Sequence, residues 1–309
     1  MKNNIAVILP CFNEEATVYQ VVQSFLTQIP EAKIFVYDNN STDNTYNEAL
    51  RAGAIVRKEL TQGKASVVRA MFRDIDADVY IMCDGDLTYP ANQANELIAP
   101  IIGGEADLVV GNRFGKGDYQ EENKRNFHQF GNVLVKKLVN KLFEAKLSDI
   151  MSGYRAFNKR FVKSYPVSCN GFELETEMTV FALSNKLRIK EIDITYVDRP
   201  EGSESKLDTF SDGRKVLLTI FNLYRHYKPF LFFGYLGLML AILSSIIGVP
   251  VIYEYIEFQF IYKVPSAILA SGIALMAVLS WAIGLILDTQ VGNHQKLMEL
   301  QIRKFKHDS

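Results

Sequence analysis

Two stretches of the 309-residue chain carry no charge at all, and few soluble folds have room for them. PFLFFGYLGLMLAILSSIIGVPVIY fills 229–253 and VPSAILASGIALMAVLSWAIGLIL fills 264–287. At about 1.5 Å per residue, either is long enough as a helix to cross a hydrocarbon core of about 30 Å. Two buried helices of a soluble core are the alternative, but core helices of this length ordinarily keep a polar face. The short connection over 254–263 predicts a transmembrane hairpin, with Gly248 and Pro250 near the end of the first span as a tolerated kink or stop. Lys206, Arg214, Lys215, Arg225 and Lys228 precede the hairpin, and Lys296, Arg303, Lys304 and Lys306 lie in the basic tail over 288–309 that follows it. The intervening loop offers Lys263 beside Glu254 and Glu257. The positive-inside rule therefore places both chain ends on the cytoplasmic side of a cell (plasma or inner) membrane, against anionic headgroups. Over 207–228, Val216, Leu217, Ile220, Leu223 and Tyr224 recur at helical spacing. They predict an amphipathic helix at the interface or an ordinary surface helix.

The first 206 residues predict a separate cytoplasmic α/β domain. Apolar β-rich runs at 5–9, 33–37, 79–83 and 106–110 alternate with helical patterns at about 14–28, 43–53, 63–75 and 92–102. That alternation predicts a mostly parallel sheet with helices on its faces. Charge is balanced, 34 Lys and Arg against 35 Asp and Glu, so nothing in it points to nucleic acid as a partner. Cys11, Cys83 and Cys169 show no CxxC spacing and read as small apolar residues in a reducing compartment. The opening MKNNIAVILPCFNEE is a short strand running into acid, not a secretory signal.

In open α/β sheets, ligands gather at the carboxyl ends of the strands. Here those ends carry Pro10-Cys11-Phe12-Asn13-Glu14, Asp38-Asn39-Asn40-Ser41, Asp84-Gly85-Asp86 and Gly111-Asn112-Arg113. Several have bland explanations: Asn13 and the Ser41-Thr42-Asp43 run can cap helices, and Gly63-Lys64 can be a turn. Asp84-Gly85-Asp86 is harder to dismiss. Capping by Asp86 leaves Asp84 unexplained at the end of a buried strand, whereas a divalent cation shared with phosphate oxygens explains both.

Eight segments in order resemble glycosyltransferase family 2: PCFNE (10–14), YDNNSTDNT (37–45), QGKA (62–65), DGD (84–86), GNR (111–113), DIMSGYRAF (149–157), GFELETEM (171–178) and RPEGSESKL (199–207). Within it they are most similar to the polyprenyl-phosphate group, which includes dolichyl-phosphate mannose synthases and bacterial undecaprenyl-phosphate sugar transferases. The resemblance spans residues 5 to about 210 and implies a GT-A fold with one nucleotide-binding sheet. It implies that Pro10, Phe12 and Glu14 line the nucleoside pocket, that Asp38 reads the base, and that Lys64 lies near the nucleotide. Asp84 and Asp86 match the DxD pair that holds Mg²⁺ or Mn²⁺ against a diphosphate, with Gly85 letting the backbone approach. Thr88 stands where some relatives carry a glutamine. Arg125 matches the first member of an acceptor-loop Arg-x-x-x-Ser pair, and Gln129 replaces its serine.

The implied chemistry moves a sugar from a nucleotide-sugar, with a UDP-sugar favoured, to a polyprenyl phosphate. A phosphate monoester with a second pKa of about 6 is already ionised near neutrality, so positioning matters more than a strong base. Arg113, Arg155, Arg199 and Lys206 are cations suited to phosphates, with Ser152 and Arg125 expected beside the acceptor. Asp86, Arg113, Glu177 and Arg199 are the expected catalytic set, Glu177 being favoured over Glu175 for alignment. A processive polysaccharide synthase would need a Q-x-x-R-W element, and the single tryptophan, Trp281, lies inside the second apolar run. An inactive scaffold that recruits a flippase would not need the acids and cations kept in order. Gly234, Gly237 and Ala241 could pack helices in a homo-oligomer.

Overall fold

The computed structural model describes residues 3–115, 126–167, 174–197, 221–222 and 225–305, with the backbone alone for 126–132 and 301–305. The described chain forms two compact units, Met1–Arg214 with Leu300–Ser309, and Lys215–Glu299.

In the first unit the strands are β1 (Ile5–Cys11), β2 (Lys33–Asp38), β3 (Ile55–Lys58), β4 (Val79–Met82), β5 (Leu108–Asn112), β6 (Arg155–Asn158) and β7 (Ile189–Asp193). Among the described residues they make one sheet, ordered β3-β2-β1-β4-β6-β5-β7. Strand β1 is buried along its whole length, as a central parallel strand covered on both faces must be. It pairs in parallel with β2 on one side (Val7↔Ile34) and β4 on the other (Ile5↔Val79), so the strand order reverses there. That reversal opens a crevice at the carboxyl ends of β1, β2 and β4.

Helices α1 (Val18–Gln28), α2 (Thr45–Arg51), α3 (Lys64–Asp74) and α4 (Ala94–Ile102) cover the sheet, followed by α5 (Asn126–Phe143), α6 (Lys159–Ser164) and α7 (Leu174–Ser184). Helix α1 shows why they dock: Val18, Val21, Val22 and Phe25 are buried at spacings of three, four and seven. The four expected strands and four expected helices are all present, with ends shifted by a few residues. The sheet is more mixed than the pattern predicted. β6 runs antiparallel to both β4 and β5, with Ala156 opposite Ile81 and Val109. Four residues of strand, RAFN, are too few to show a period. Edge strand β3, IVRK, was equally silent because its exposed Arg57 and Lys58 make it read as a loop.

The second unit holds α8 (Pro229–Phe258) and α9 (Val264–Phe305) as far as Glu299, a hairpin longer than the apolar runs that announced it. Helix α8 passes through Pro250 and ends at Gln259, whose φ of 51° and N–H bond to Tyr255 O close the helix. The expected loop thus shrinks to 259–263, because Glu254 and Glu257 remain helical. Helix α9 likewise absorbs 288–305 of the expected tail, a stretch without proline. The expected interfacial helix over 207–228 lies almost wholly outside the described residues, although 225–227 are helical.

The two helices touch through small and polar groups. Trp281 Nε1 donates to Gly234 O (3.1 Å), Ser280 Oγ to Phe233 O (2.9 Å) and Ser244 Oγ to Ala270 O (2.9 Å). A Cβ on Gly237 would lie 2.5 Å from Trp281 Nε1, so this glycine lets the two helices of the hairpin approach. Only 6% and 22% of the two apolar windows are buried, whereas helices of a soluble core would be mostly covered. Leu238, Ile242, Ile246, Leu275 and Leu285 all face outward. Such a surface is stable in hydrocarbon and costly in water.

One buried acid ties the far half of the sheet together. Asp107, before β5 and 1% exposed, accepts bonds from Asn158 Nδ2 (2.7 Å), the Arg188 N–H (2.9 Å) and Arg188 Nη2 (3.1 Å), and from Arg160. Burial alone would raise its pKa, but Arg188, its backbone N–H, Arg160 and Asn158 outweigh it and lower the pKa to about 2. A depressed acid stabilises the fold above its unfolded pKa and loses that contribution as pH falls through the folded value. Asp107→Asn should therefore lower stability at pH 7 by about 2 kcal/mol. In thermal melts, the gap from wild type should narrow as pH drops from about 4 towards 2.

Candidate active site

The site is assembled where β1, β2 and β4 end. Beyond β1, Asn13 adopts φ 55°, a left-handed turn that asparagine tolerates. The turn lets Asn13 Oδ1 accept the Thr42 N–H (2.9 Å) and its own N–H reach Ser41 Oγ (2.9 Å), while the Glu14 N–H donates to Thr45 Oγ1 (2.8 Å). The PCFNE and DNNSTDNT segments are thus stitched into one polar layer. Pro10 is buried within β1, Phe12 is half-buried just beyond it, and Asp38 is buried at the end of β2, accepting the Ser41 N–H (3.2 Å).

Asn39 carries this layer to the next loop. Its amide donates to Glu59 O (3.0 Å) and Thr61 O (2.8 Å), and its Oδ1 accepts the Gly63 N–H (2.7 Å). Gly63 has φ 121°, a region that favours glycine, and delivers Lys64 as the first residue of α3. The Lys64 ammonium sits between two carboxylates, 2.5 Å from Asp84 Oδ1 and 2.7 Å from Glu175 Oε1. Burial works against its charge, but Asp84 and Glu175 together hold its pKa above the ordinary lysine value. Gly153 closes over the pair: a Cβ there would stand 2.6 Å from Asp84 Oδ2.

Gly85 is required by contact on its other side, since a Cβ would meet Cys11 Sγ at 2.6 Å. Its carbonyl accepts from Thr17 Oγ1 (2.6 Å). Asp86 is 2% exposed, and its Oδ1 accepts from both the Thr88 N–H (3.2 Å) and Thr88 Oγ1 (2.6 Å). Thr88, the departure from the pattern of some relatives, therefore orients the second acid of the pair. The Cys11 thiol reports the local field: burial first, then Glu14, Asp84, Asp38 and Asp86, push its pKa well up. Four carboxylates thus converge on the end of β1.

Other expected site residues are used differently. Arg113, 9% exposed, is clamped by Asp149, with Nε 2.7 Å from Oδ2 and Nη2 3.0 Å from Oδ1, and it lies 5.7 Å from the Tyr196 ring centre. Asp149 lies in the DIMSGYRAF segment, but its pairing with Arg113 has no signal in the sequence, because a buried acid opposite an arginine is invisible without the fold. Arg155 was expected at the acceptor phosphate, but it is fully buried and its guanidinium donates to Ser152 O (2.8 Å), Ile150 O (2.7 Å) and Thr179 Oγ1 (3.0 Å). Those bonds make it a core brace, and Ser152, equally buried, belongs to the same brace rather than to an acceptor surface. Glu175, not Glu177, joins the site: two residues apart on a helix they point about 200° apart. Glu177 instead accepts from Tyr165 OH (2.7 Å). Arg125, Arg199 and Lys206 lie outside the described residues.

Removing the Arg155 side chain should therefore act on folding, because three buried oxygens each lose a donor. Arg155→Ala should cost about 3 kcal/mol in a thermal or denaturant melt, while Glu177→Gln should cost less than about 1 kcal/mol.

The model for Glycosyl transferase family 2 matches residues 6–165. Glycosyltransferase AglJ of Haloferax volcanii is 28% identical over 296 residues, 96% of each chain. The dolichol-phosphate mannosyltransferase of Pyrococcus furiosus is 26% identical, covering 72% of this chain and 64% of that protein. Among solved structures, glucosyl-3-phosphoglycerate synthase from Mycobacterium tuberculosis in complex with Mn²⁺ and UDP-glucose superposes with a TM-score of 0.57 at 21% identity, over 72% of this chain and 78% of that one. The shared architecture is the GT-A-like mixed sheet with flanking helices, and the family match spans the strand ends on which Asp38, Lys64, Asp84 and Asp86 are gathered. The chain is a member of glycosyl transferase family 2.

Proposed function

We propose that the enzyme transfers a sugar from a nucleotide-sugar, with a UDP-sugar favoured, to a polyprenyl phosphate in the membrane, using Mg²⁺ or Mn²⁺. The observation that carries this proposal is the pairing of an acid-lined strand-end crevice with an apolar hairpin in one chain. Relatives named for dolichol-phosphate transfer support the acceptor, and a neighbour of the same fold holding Mn²⁺ and UDP-glucose supports the donor and the metal.

The donor atoms suit such a metal. Asp84 and Asp86 offer hard oxygens, and among the described residues no group of three or more potential metal-ligating side chains accompanies them. Two carboxylates match a cation whose remaining positions are filled by phosphate oxygens and water. When bound there, the cation would neutralise charge developing on the leaving diphosphate. Thr88 holds Asp86 in one orientation, and the N-terminus of α3 at Lys64 is a favourable end for phosphate. Asp38, buried beside the Asn13 turn, would face the base. An oxygen of the lipid phosphate attacks the anomeric carbon, the bond from that carbon to the donor phosphate breaks, and its electron pair leaves on the nucleoside diphosphate. The sugar is inverted, and because the attacking oxygen is already ionised, the side chains contribute alignment and charge rather than a strong base.

Purified full-length protein given radiolabelled UDP- and GDP-sugars, Mn²⁺ and undecaprenyl phosphate should yield an organic-extractable, acid-labile product. Chelation or Asp86→Asn should reduce transfer by at least about 100-fold in protein that still melts cooperatively. Transfer only to a water-soluble acceptor would refute the lipid assignment. For topology, we propose that both termini are cytoplasmic. Reporter fusions at the C-terminus and in the 259–263 loop should report opposite sides of the membrane, with the C-terminus inside.

A further inference from the structure

The ammonium of Lys64 stands where a cation is wanted. Its Nζ is 2.5 Å from Asp84 Oδ1, while the other oxygen of Asp84 packs over Gly153, whose missing Cβ leaves it just enough room. The oxygen that faces Lys64 therefore already holds a cation, although the Asp84 side chain is still 27% exposed. Lys64 is held from a second side by Glu175, 2.7 Å away, whose side chain is only 8% exposed. Glu175 comes from α7 and Lys64 from α3, so the contact joins elements 111 residues apart. Such a bridge is poorly explained as a fold brace, because it lies on the acid that a metal would take and draws on a buried carboxylate for support.

We infer that Lys64 is a built-in occupant of the cation position at Asp84, which a divalent ion must displace, and that Glu175 is the carboxylate that retains the ammonium once displaced. This rests on the proposed assignment of Asp84 and Asp86 to the metal. Lys64 keeps the strand-end acids from repelling one another when no metal is present. Its position beside a second acceptor makes the exchange a short movement rather than the release of a bare charge into a buried site. Glu175 is then a positioning residue acting through Lys64.

The inference predicts that loss of the lysine strengthens metal binding, the opposite of its being a ligand-supporting residue. Mn²⁺ is titrated into purified full-length protein without nucleotide, and free Mn²⁺ is followed by electron paramagnetic resonance. Lys64→Met and Lys64→Gln should each bind Mn²⁺ about tenfold more tightly than wild type, and Lys64→Arg should not. Glu175→Gln should weaken Mn²⁺ binding in the wild-type background, because Lys64 is left with Asp84 alone. In the Lys64→Met background it should have a much smaller effect, so the two changes are non-additive. Equal or weaker binding in both neutral Lys64 variants, with binding still abolished by Asp86→Asn, would overturn the displacement while leaving the metal assignment standing. Additive effects of the two changes would overturn the role of Glu175. Failure of every variant, wild type included, to bind Mn²⁺ both without nucleotide and with UDP added would overturn the metal assignment and the inference with it.

Discussion

Four carboxylates share the carboxyl ends of three neighbouring strands, and the rest of the domain is arranged around that concentration of negative charge. Glu14, Asp38, Asp84 and Asp86 all act on the buried Cys11 thiol. Acids this close repel unless cations or hydrogen bonds hold them. Loops supply two of those bonds, Ser41 on Asp38 and Thr88 on Asp86, and the first residue of α3 supplies the cation, Lys64 on Asp84. Glycines at 85 and 153 let the backbone and Asp84 approach closely enough for the cluster to form. The helices and the mixed sheet hold the cluster fixed from behind.

The cations divide into two groups that a sequence cannot separate. Lys64 faces the acid cluster, whereas Arg155 is a brace inside the core and Arg113 is locked onto Asp149. An arginine near a glycine-rich motif looks the same in either role, since guanidinium suits a phosphate and a ring of carbonyls alike. Burial decides between them, and burial depends on strands β6 and β7, which are short and mixed in polarity. The same limit explains Glu175 and Glu177. Both acids lie on one helix, and only the packing of α7 shows which one turns towards Lys64.

What was legible came from long, repetitive physical patterns. Continuous apolar runs gave the central strands, buried on both faces, and their acidic ends gave the crevice. The uncharged runs gave the hairpin, whose outward surface is apolar along both helices, as a membrane association would require. Their boundaries were less legible, since charge marks the edge of an apolar run but does not end a helix. Thus Glu254 and Glu257 stay helical, and α9 runs on to Phe305. Thr88 shows the reverse case: a departure from a familiar pattern that nonetheless holds Asp86 by a hydrogen bond.

The central claim is that the strand-end acids exist to place a cation beneath a nucleoside diphosphate. A structure of the full-length protein with Mn²⁺ and UDP tests it most directly. The account predicts anomalous density for one Mn²⁺ touching both Asp84 and Asp86 and the diphosphate, with the Lys64 ammonium moved off Asp84. Nucleotide bound at the crevice with Lys64 still on Asp84 and no metal between the two acids would contradict it.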